Sequence, residues 1–455
     1  MAPLFSSKTK GVSMNPLKNT LPLLGQLVKK LPPRLTDTLA KKHKIQTRSF
    51  SPTSHVVSLM YAQLTHALSL NDVCDALQNH QSYLSQIRNC SPPSRNGLSH
   101  ANRTRNADMA EELFWTTLQM LKDDYPEFMT KGRYYPGMPH RFTRTIHAVD
   151  SSTIPLVANC MQWAKHRRQK AAAKLHMDLN MRSFLPAFAI VRSAKASDPK
   201  VAWELCAHLK AGEIAVFDKA YVDFKHLKHL DSREIFWVTR AKDNMQYEVM
   251  GQQASEKSAK RSESSENMEK VMGQQTFKRV PKSKKRKYKR KRIKIIRDVR
   301  IKLSNTTSFE KYPQELRLVE AEVEVKNKMT LMTFITNNFT WSAMTICELY
   351  RARWGVEVFF KEIKQTLQLA DFMGHNENAV RWQVWIALLT YLLLRFVAWK
   401  NAWKHSFSRL FTLIRGVIWN YFDLADILTR CDTMSKRMQL RASPERCYQM
   451  NFEFT

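Results

Sequence analysis

Four polar residues of different chemical types, Tyr350, Arg353, Glu357 and Lys364, follow the spacing Y-x2-R-x3-E-x6-K. At about 100° per residue in an α-helix they fall within roughly 60° of one another. A phenol, a guanidinium, a carboxylate and an ammonium on one face suit contact with phosphate. The other reading of the same face is a solvated basic surface laced with i,i+4 ion pairs. Glu362, the second carboxylate of the stretch, points about 140° away. Two further acids stand at the ends of short β-rich segments. Asp150 follows TRTIHAV and precedes Ser151, Ser152 and Thr153, a polar turn expected at an exposed strand end. Asp218 closes a second apolar segment in VFDKAY. If those strands are neighbours, the two carboxylates repel unless a cation intervenes. Glu357, carried on a helix packed against the sheet, would supply a third oxygen ligand. Three carboxylates in a basic protein suit two Mg²⁺ ions that activate a nucleophile and stabilise the leaving oxygen of a phosphodiester.

Elements must place these residues together. Residues 345–369 carry an apolar stripe of Leu349, Ala352, Val356, Phe359, Phe360, Ile363 and Leu367, which predicts one amphipathic helix. Thr345 and Glu348 form a candidate capping box at its start. Strands are predicted at 143–150, 175–181, 184–192, 213–218 and 235–240, and helices at 199–209 and near 222–230. That order describes a mixed α/β sheet whose parallel half is built by crossovers, and its first and fourth strands can be neighbours. Residues 241–335 interrupt the pattern. They hold a near-repeat (EVMGQQ, 248–253, and KVMGQQ, 270–275) around a polar stretch expected to be disordered, then a basic run, then sheet-like segments at 315–325 and 331–337. Residues 1–135 read as a helical domain with a basic surface, in which Ser69 or Asn71 could cap a helix near Asp72. The remaining divisions are a catalytic domain at 141–400 and a helical C-terminal region at 401–455.

The whole chain limits the partners. Its 455 residues carry 73 Lys and Arg against 40 Asp and Glu, a net charge of +33. Residues 282–302 contribute +12 of this and the rest still carries +21, so the bias is distributed. A polyanion is the natural partner, and nucleic acid the default. Seven cysteines without C-x2-C pairs argue against a zinc site and a disulfide framework, and for a reducing compartment. No signal-peptide pattern opens the chain. The most apolar run, 384–397, is about 14 residues long and includes Arg395, which reads as a buried core helix rather than a span; no membrane partner is expected.

Taken together, these motifs resemble the DDE-type insertion-sequence transposases, specifically the group named after insertion sequence four and marked by a Y-R-E-K signature. Asp150 with Ser151 and Ser152, the Asp218-Lys219-Ala220-Tyr221 run, and Glu357 with Tyr350, Arg353 and Lys364 carry the resemblance, with echoes in KLHMDLN (174–180), FWVTRAKDN (236–244) and TFITNNF (333–339). It covers roughly residues 140–400. The resemblance implies a ribonuclease H-like mixed-sheet core with a β-rich insertion, preceded by a helical DNA-binding domain. It implies cut-and-paste DNA transposition by a cytoplasmic, nucleoid-associated bacterial enzyme. Asp150, Asp218 and Glu357 would bind two Mg²⁺ or Mn²⁺ ions. Tyr350, Arg353, Lys364 and Lys174 would contact DNA. A homodimer would pair the terminal inverted repeats and join them to target DNA. His147 and His176 are expected near the site. Some relatives stack a tryptophan of the insertion on a flipped base; here no Trp lies between Trp237 and Trp341, leaving Phe277, Tyr288 and Tyr312 as substitutes. The competing functions are a nuclease on the same core that does not join strands, and a non-catalytic DNA-binding derivative. The run at 284–292 would contact DNA backbone non-specifically.

Overall fold

The computed structural model describes residues 18–47, 49–130, 142–156, 171–193, 198–252, 293–325, 328–366, 374 and 376–437. Residues 1–13, the polar stretch and second repeat of the insertion, residues 284–292, and Phe277 and Tyr288, for which expectations are given above, lie outside these residues. In chain order the helices are α1 (Leu23–Val28), α2 (Leu35–Lys42), α3 (Pro52–Thr65), α4 (Leu70–Asn79), α5 (Gln81–Ser85), α6 (Arg95–Thr104), α7 (Asp108–Asp124) and α8 (Pro126–Thr130). They continue with α9 (Asp198–Leu205), α10 (Phe224–Ser232), α11 (Thr306–Lys311), α12 (Ala343–Ala352), α13 (Trp354–Thr366), α14 (Glu377–Lys400), α15 (Phe407–Gly416) and α16 (Leu424–Arg437). The strands are β1 (Ile146–Leu156), β2 (Ala171–Asn180), β3 (Leu185–Ser193), β4 (Ile214–Phe217), β5 (Phe236–Arg240), β6 (Tyr247–Gln252), β7 (Ile293–Leu303), β8 (Leu316–Val325) and β9 (Lys328–Thr336).

Two compact units divide the chain at other points than the sequence suggested: residues 1–123 with 365–455, and residues 124–364. The C-terminal helices and the apolar helix near 380–400 fall in the same compact unit as the N-terminal helices. The helical unit is built on α14 packed against α3, both buried along most of their length. Among the described residues α14 alone is long and apolar enough to cross a membrane, and 83% of its apolar window is buried inside the protein. Gln26 ties the two ends of the chain by donating from Nε2 to the carbonyl of Phe422 at 2.7 Å. Ser69, not Asn71, caps α4, and its capping box closes with Asp72.

In the second unit one nine-stranded sheet runs in the order β3-β2-β1-β4-β5-β9-β8-β7-β6. β1, β2 and β3 are antiparallel, β4 and β5 lie parallel to β1, and β9 returns antiparallel on β5. This mixed α/β sheet with α-helical crossovers is the ribonuclease H-like arrangement. The insertion is not an appendage beside the sheet, because β6 to β9 extend it through continuous pairing. β7 overlaps the basic run at 282–302 and is a strand as well as a charged segment. Its Val299, Ile301 and Leu303 are buried while Arg300 and Lys302 alternate outward, the period of a half-buried strand.

One face of the sheet carries Val149, Ala215, Phe217 and Trp237 against α9 and α10. The opposite face takes α12 and α13, whose Ile346, Leu349, Val356, Phe359 and Ile363 are almost entirely buried. Each such side chain is worth about 1.5–3 kcal/mol of burial.

Candidate active site

Register places the two aspartates. β1 pairs with β4 from Ile146 opposite Ile214 to Val149 opposite Phe217, so Asp150 and Asp218 follow at neighbouring positions. Asp150 does not close its strand as predicted. β1 continues to Leu156 against β2, and it is the parallel neighbour that ends. Asp218 does close β4 and opens a 3-10 turn over Lys219–Tyr221.

The third acid arrives on a helix that differs from the predicted one. The stretch is two helices rather than one, broken at Arg353, where the N–H of Arg353 bonds back only three residues to Tyr350 and that of Val356 to Arg353. The start also lies earlier. Ser342 is the cap and accepts from the N–H of Thr345 at 3.3 Å, so the Thr345–Glu348 capping box does not form. The loop before the cap is clamped from the insertion. Arg317 on β8 forks onto Asp298 of β7 at 2.7 and 2.8 Å and donates to the carbonyls of Asn338 and Trp341. Beyond the break, Gly355 lets α13 approach the β2–β3 turn. A Cβ there would stand 2.3 Å from Cε of Met181 and 3.5 Å from Phe184.

The signature residues meet the acids themselves. Arg353 donates from Nη1 to Asp150 Oδ2 at 2.5 Å and from Nη2 to Glu357 Oε1 at 2.8 Å, spanning two of the three carboxylates. The hydroxyl of Tyr350 donates to Asp218 Oδ1 at 3.2 Å, and the guanidinium of Arg353 lies 5.5 Å from the Tyr350 ring centre. Tyr350 and Arg353 are only 8% and 7% exposed. Both were expected to face phosphate; here both are buried and hydrogen-bonded to the acids. Lys364 donates to the carbonyl of Thr153, three residues beyond Asp150.

Burial first, and then the like charges of Asp218 and Glu357, push the Asp150 carboxyl up to about 6 against the opposing pull of Arg353 and the Ser151 N–H. Burial likewise raises the Tyr350 hydroxyl to about 12, with the charge of Asp218 adding to it and Arg353 opposing it. Burial opposes the charge on Arg353, yet Tyr350, Asp150 and Asp218 together hold its guanidinium firmly protonated. Burial lowers Lys364. Three carboxylates set against one guanidinium leave an excess of negative charge at a rim of hard oxygen donors. That donor set fits Mg²⁺ or Mn²⁺ better than a soft metal.

Lys174, His147 and His176 are not brought to this cluster. Lys174 pairs with Thr153 and His176 with Ser151, positions that alternate to the face opposite Asp150. His176 meets the Tyr221 hydroxyl there at 3.2 Å, so the lysine-histidine echo and the tyrosine of the Asp218 motif support each other in the core. His147 bonds Asp178 on the same face. Tyr312 is 1% exposed and donates to Asp231 at 3.1 Å, which removes it as a base-stacking substitute.

Residues 141–393, more than half of the chain, match the family described as Transposase DDE domain. The chain belongs to the DDE transposases. Residues 19–87 match a second family described only as a domain of unknown function (DUF4372). The transposase is 26% identical over 309 residues to a Sinorhizobium fredii protein named as transposase y4zB, covering 68% of this chain and 76% of that one. It is 29% identical over 257 residues to a Geobacillus stearothermophilus protein named as the transposase of insertion sequence element IS5377, covering 56% and 58% respectively. Among solved structures, the piggyBac transposase synaptic complex with hairpin DNA aligns at 10% identity with a TM-score of 0.38, covering 92% of this chain and 80% of that one.

Proposed function

We propose that the transposase performs cut-and-paste DNA transposition as a member of the insertion-sequence-four group, cleaving at terminal inverted repeats and joining the freed 3′-OH to target DNA. The observation that carries this is the meeting of Asp150, inside β1, and Asp218, at the end of the parallel neighbour β4, with Glu357 tied to Asp150 through Arg353. Asp150, Asp218 and Glu357 would hold the two Mg²⁺ or Mn²⁺ ions. Such ions, when bound, activate water or a 3′-OH and stabilise the leaving oxygen. Tyr350 and Arg353 orient the carboxylates, so that the acids are already aligned when DNA arrives. Arg353, hydrogen-bonded to both Asp150 and Glu357, offsets part of the repulsion between them. Lys364, less buried than these and anchored beside β1, is the signature residue best placed to meet phosphate. The helical N-terminal region, with its basic surface, would bind the transposon ends, and a homodimer would hold two ends together in a synaptic complex.

The purified transposase, with Mg²⁺ and DNA carrying its element's own inverted repeats, is expected to cut at the repeats and give joined products. Glu357→Gln should abolish both steps and leave end binding intact. Normal cutting by that variant overturns the assignment of the third acid. Cutting by the wild type without any joined product overturns transposition in favour of a nuclease.

A further inference from the structure

On the sheet face away from the acids, three potential ligands converge from separate elements. His147 lies on β1, Asp178 on β2, and His208 follows α9. Nδ1 of His147 lies 2.8 Å from Asp178 Oδ2, and Nε2 of His208 lies 3.0 Å from the same oxygen. One ligand atom from each of the three residues falls within 4.8 Å of the other two. Asp178 is 0% exposed, and a carboxylate removed from water that far must be paired or bound to a cation.

We propose that His147 Nδ1, Asp178 Oδ2 and His208 Nε2 bind a zinc ion. Two imidazoles and one carboxylate are a donor set that Zn²⁺ takes with bonds of about 2.0–2.2 Å, which sets ligand atoms about 3.3 Å apart in a tetrahedron. The two spacings to Asp178 Oδ2 need to open by only a few tenths of an ångström. The surroundings match as well. Nε2 of His147 is buried without a hydrogen-bond partner and points to Glu213 Oε2 at 3.5 Å, and Glu213 is itself fixed by the N–H of Lys210 at 2.8 Å. A metal-bound histidine commonly directs its second nitrogen at such a carboxylate. His208, stacked on Phe188 with centroids 5.7 Å apart, keeps its side chain 34% exposed and leaves the fourth position open to water. The ion would clasp β1, β2 and the segment after α9 beneath the catalytic strand. The cysteine pattern, which argues against zinc, is silent about a histidine-aspartate site whose ligands lie 31 and 30 residues apart.

Full-length protein stripped with a chelator would be titrated with Zn²⁺ in excess Mg²⁺, which occupies the acidic cluster. One zinc per chain is expected, unchanged in Glu357→Gln, about 100-fold weaker or lost in His208→Ala, and about 10–100-fold weaker in Glu213→Gln. Co²⁺ added to the wild type should give the visible absorption of a four-coordinate site, a reading that needs no variant. Absence of zinc binding, zinc retained by His208→Ala, or zinc lost from Glu357→Gln instead would overturn the proposal. The first of these outcomes would leave the cluster as an ion-paired network.

Discussion

Asp150 should make the transposase less stable than it could be, and removing its charge should show this. Its carboxyl sits near pKa 6 in the fold against 3.8 for a free aspartate, because burial and two neighbouring carboxylates outweigh Arg353. Its side chain is 17% exposed, so solvent screens the effect little. The difference corresponds to about 3 kcal/mol. Below pH 4 the carboxyl is protonated in both folded and unfolded chains and contributes nothing to the difference. Between pH 4 and 6 the unfolded chain loses its proton while the folded one keeps it, so wild-type stability falls as pH rises. Above pH 6 the full penalty applies. Asp150→Asn resembles the protonated acid and retains an oxygen for the Ser151 N–H and Arg353. It should match the wild type below pH 4 and exceed it by about 3 kcal/mol above pH 6, or roughly 6–12 °C in melting temperature for a unit of this size. Thermal melts across pH 3 to 8, without added divalent metal, measure this directly. A variant less stable than wild type at pH 8, or a gap that does not vary with pH, refutes the reasoning. Such a gain from deleting an active-site charge is the expected trade between stability and function.

Two further substitutions probe how the signature helices are held. Arg317→Ala strands the buried Asp298 carboxylate and frees the loop before α12, and chemical denaturation should show a loss of about 3–5 kcal/mol; a loss under 1 kcal/mol would mean the clamp is not needed. Gly355→Ala must push the buried Met181 aside, so a loss of about 1–3 kcal/mol is expected together with weaker end cleavage. Wild-type stability and cleavage would show that α13 has room to move.

The acids were legible from sequence because each stands in a recognisable local context: a β-rich segment followed by Ser151, Ser152 and Thr153, a short apolar segment, and a helical stretch with three polar partners at fixed spacing. Strand alternation, cap residues and helical periodicity are local properties, so most strands of the first half of the sheet and a cap at Ser69 or Asn71 could be read directly, with the structure choosing Ser69. β7 was hidden because its basic residues dominate its composition, although Val299, Ile301 and Leu303 already alternated. Its role depends on pairing with β8, a partner found only through the fold. The break at Arg353 was also invisible, since an unbroken helix satisfies the same apolar stripe.

Types and spacing alone singled out which residues are chemically capable: Asp150, Asp218 and Glu357 as acids, and Tyr350, Arg353 and Lys364 as groups suited to phosphate. Only the tertiary structure decided what faces what. Tyr350 and Arg353 turn inward to the carboxylates, since a buried acid needs a donor. Lys174, His147 and His176 fall on the opposite side of the sheet because side chains reverse face at every residue of a strand. His147, Asp178 and His208 meet there because a sheet brings together in space what the chain holds some thirty residues apart.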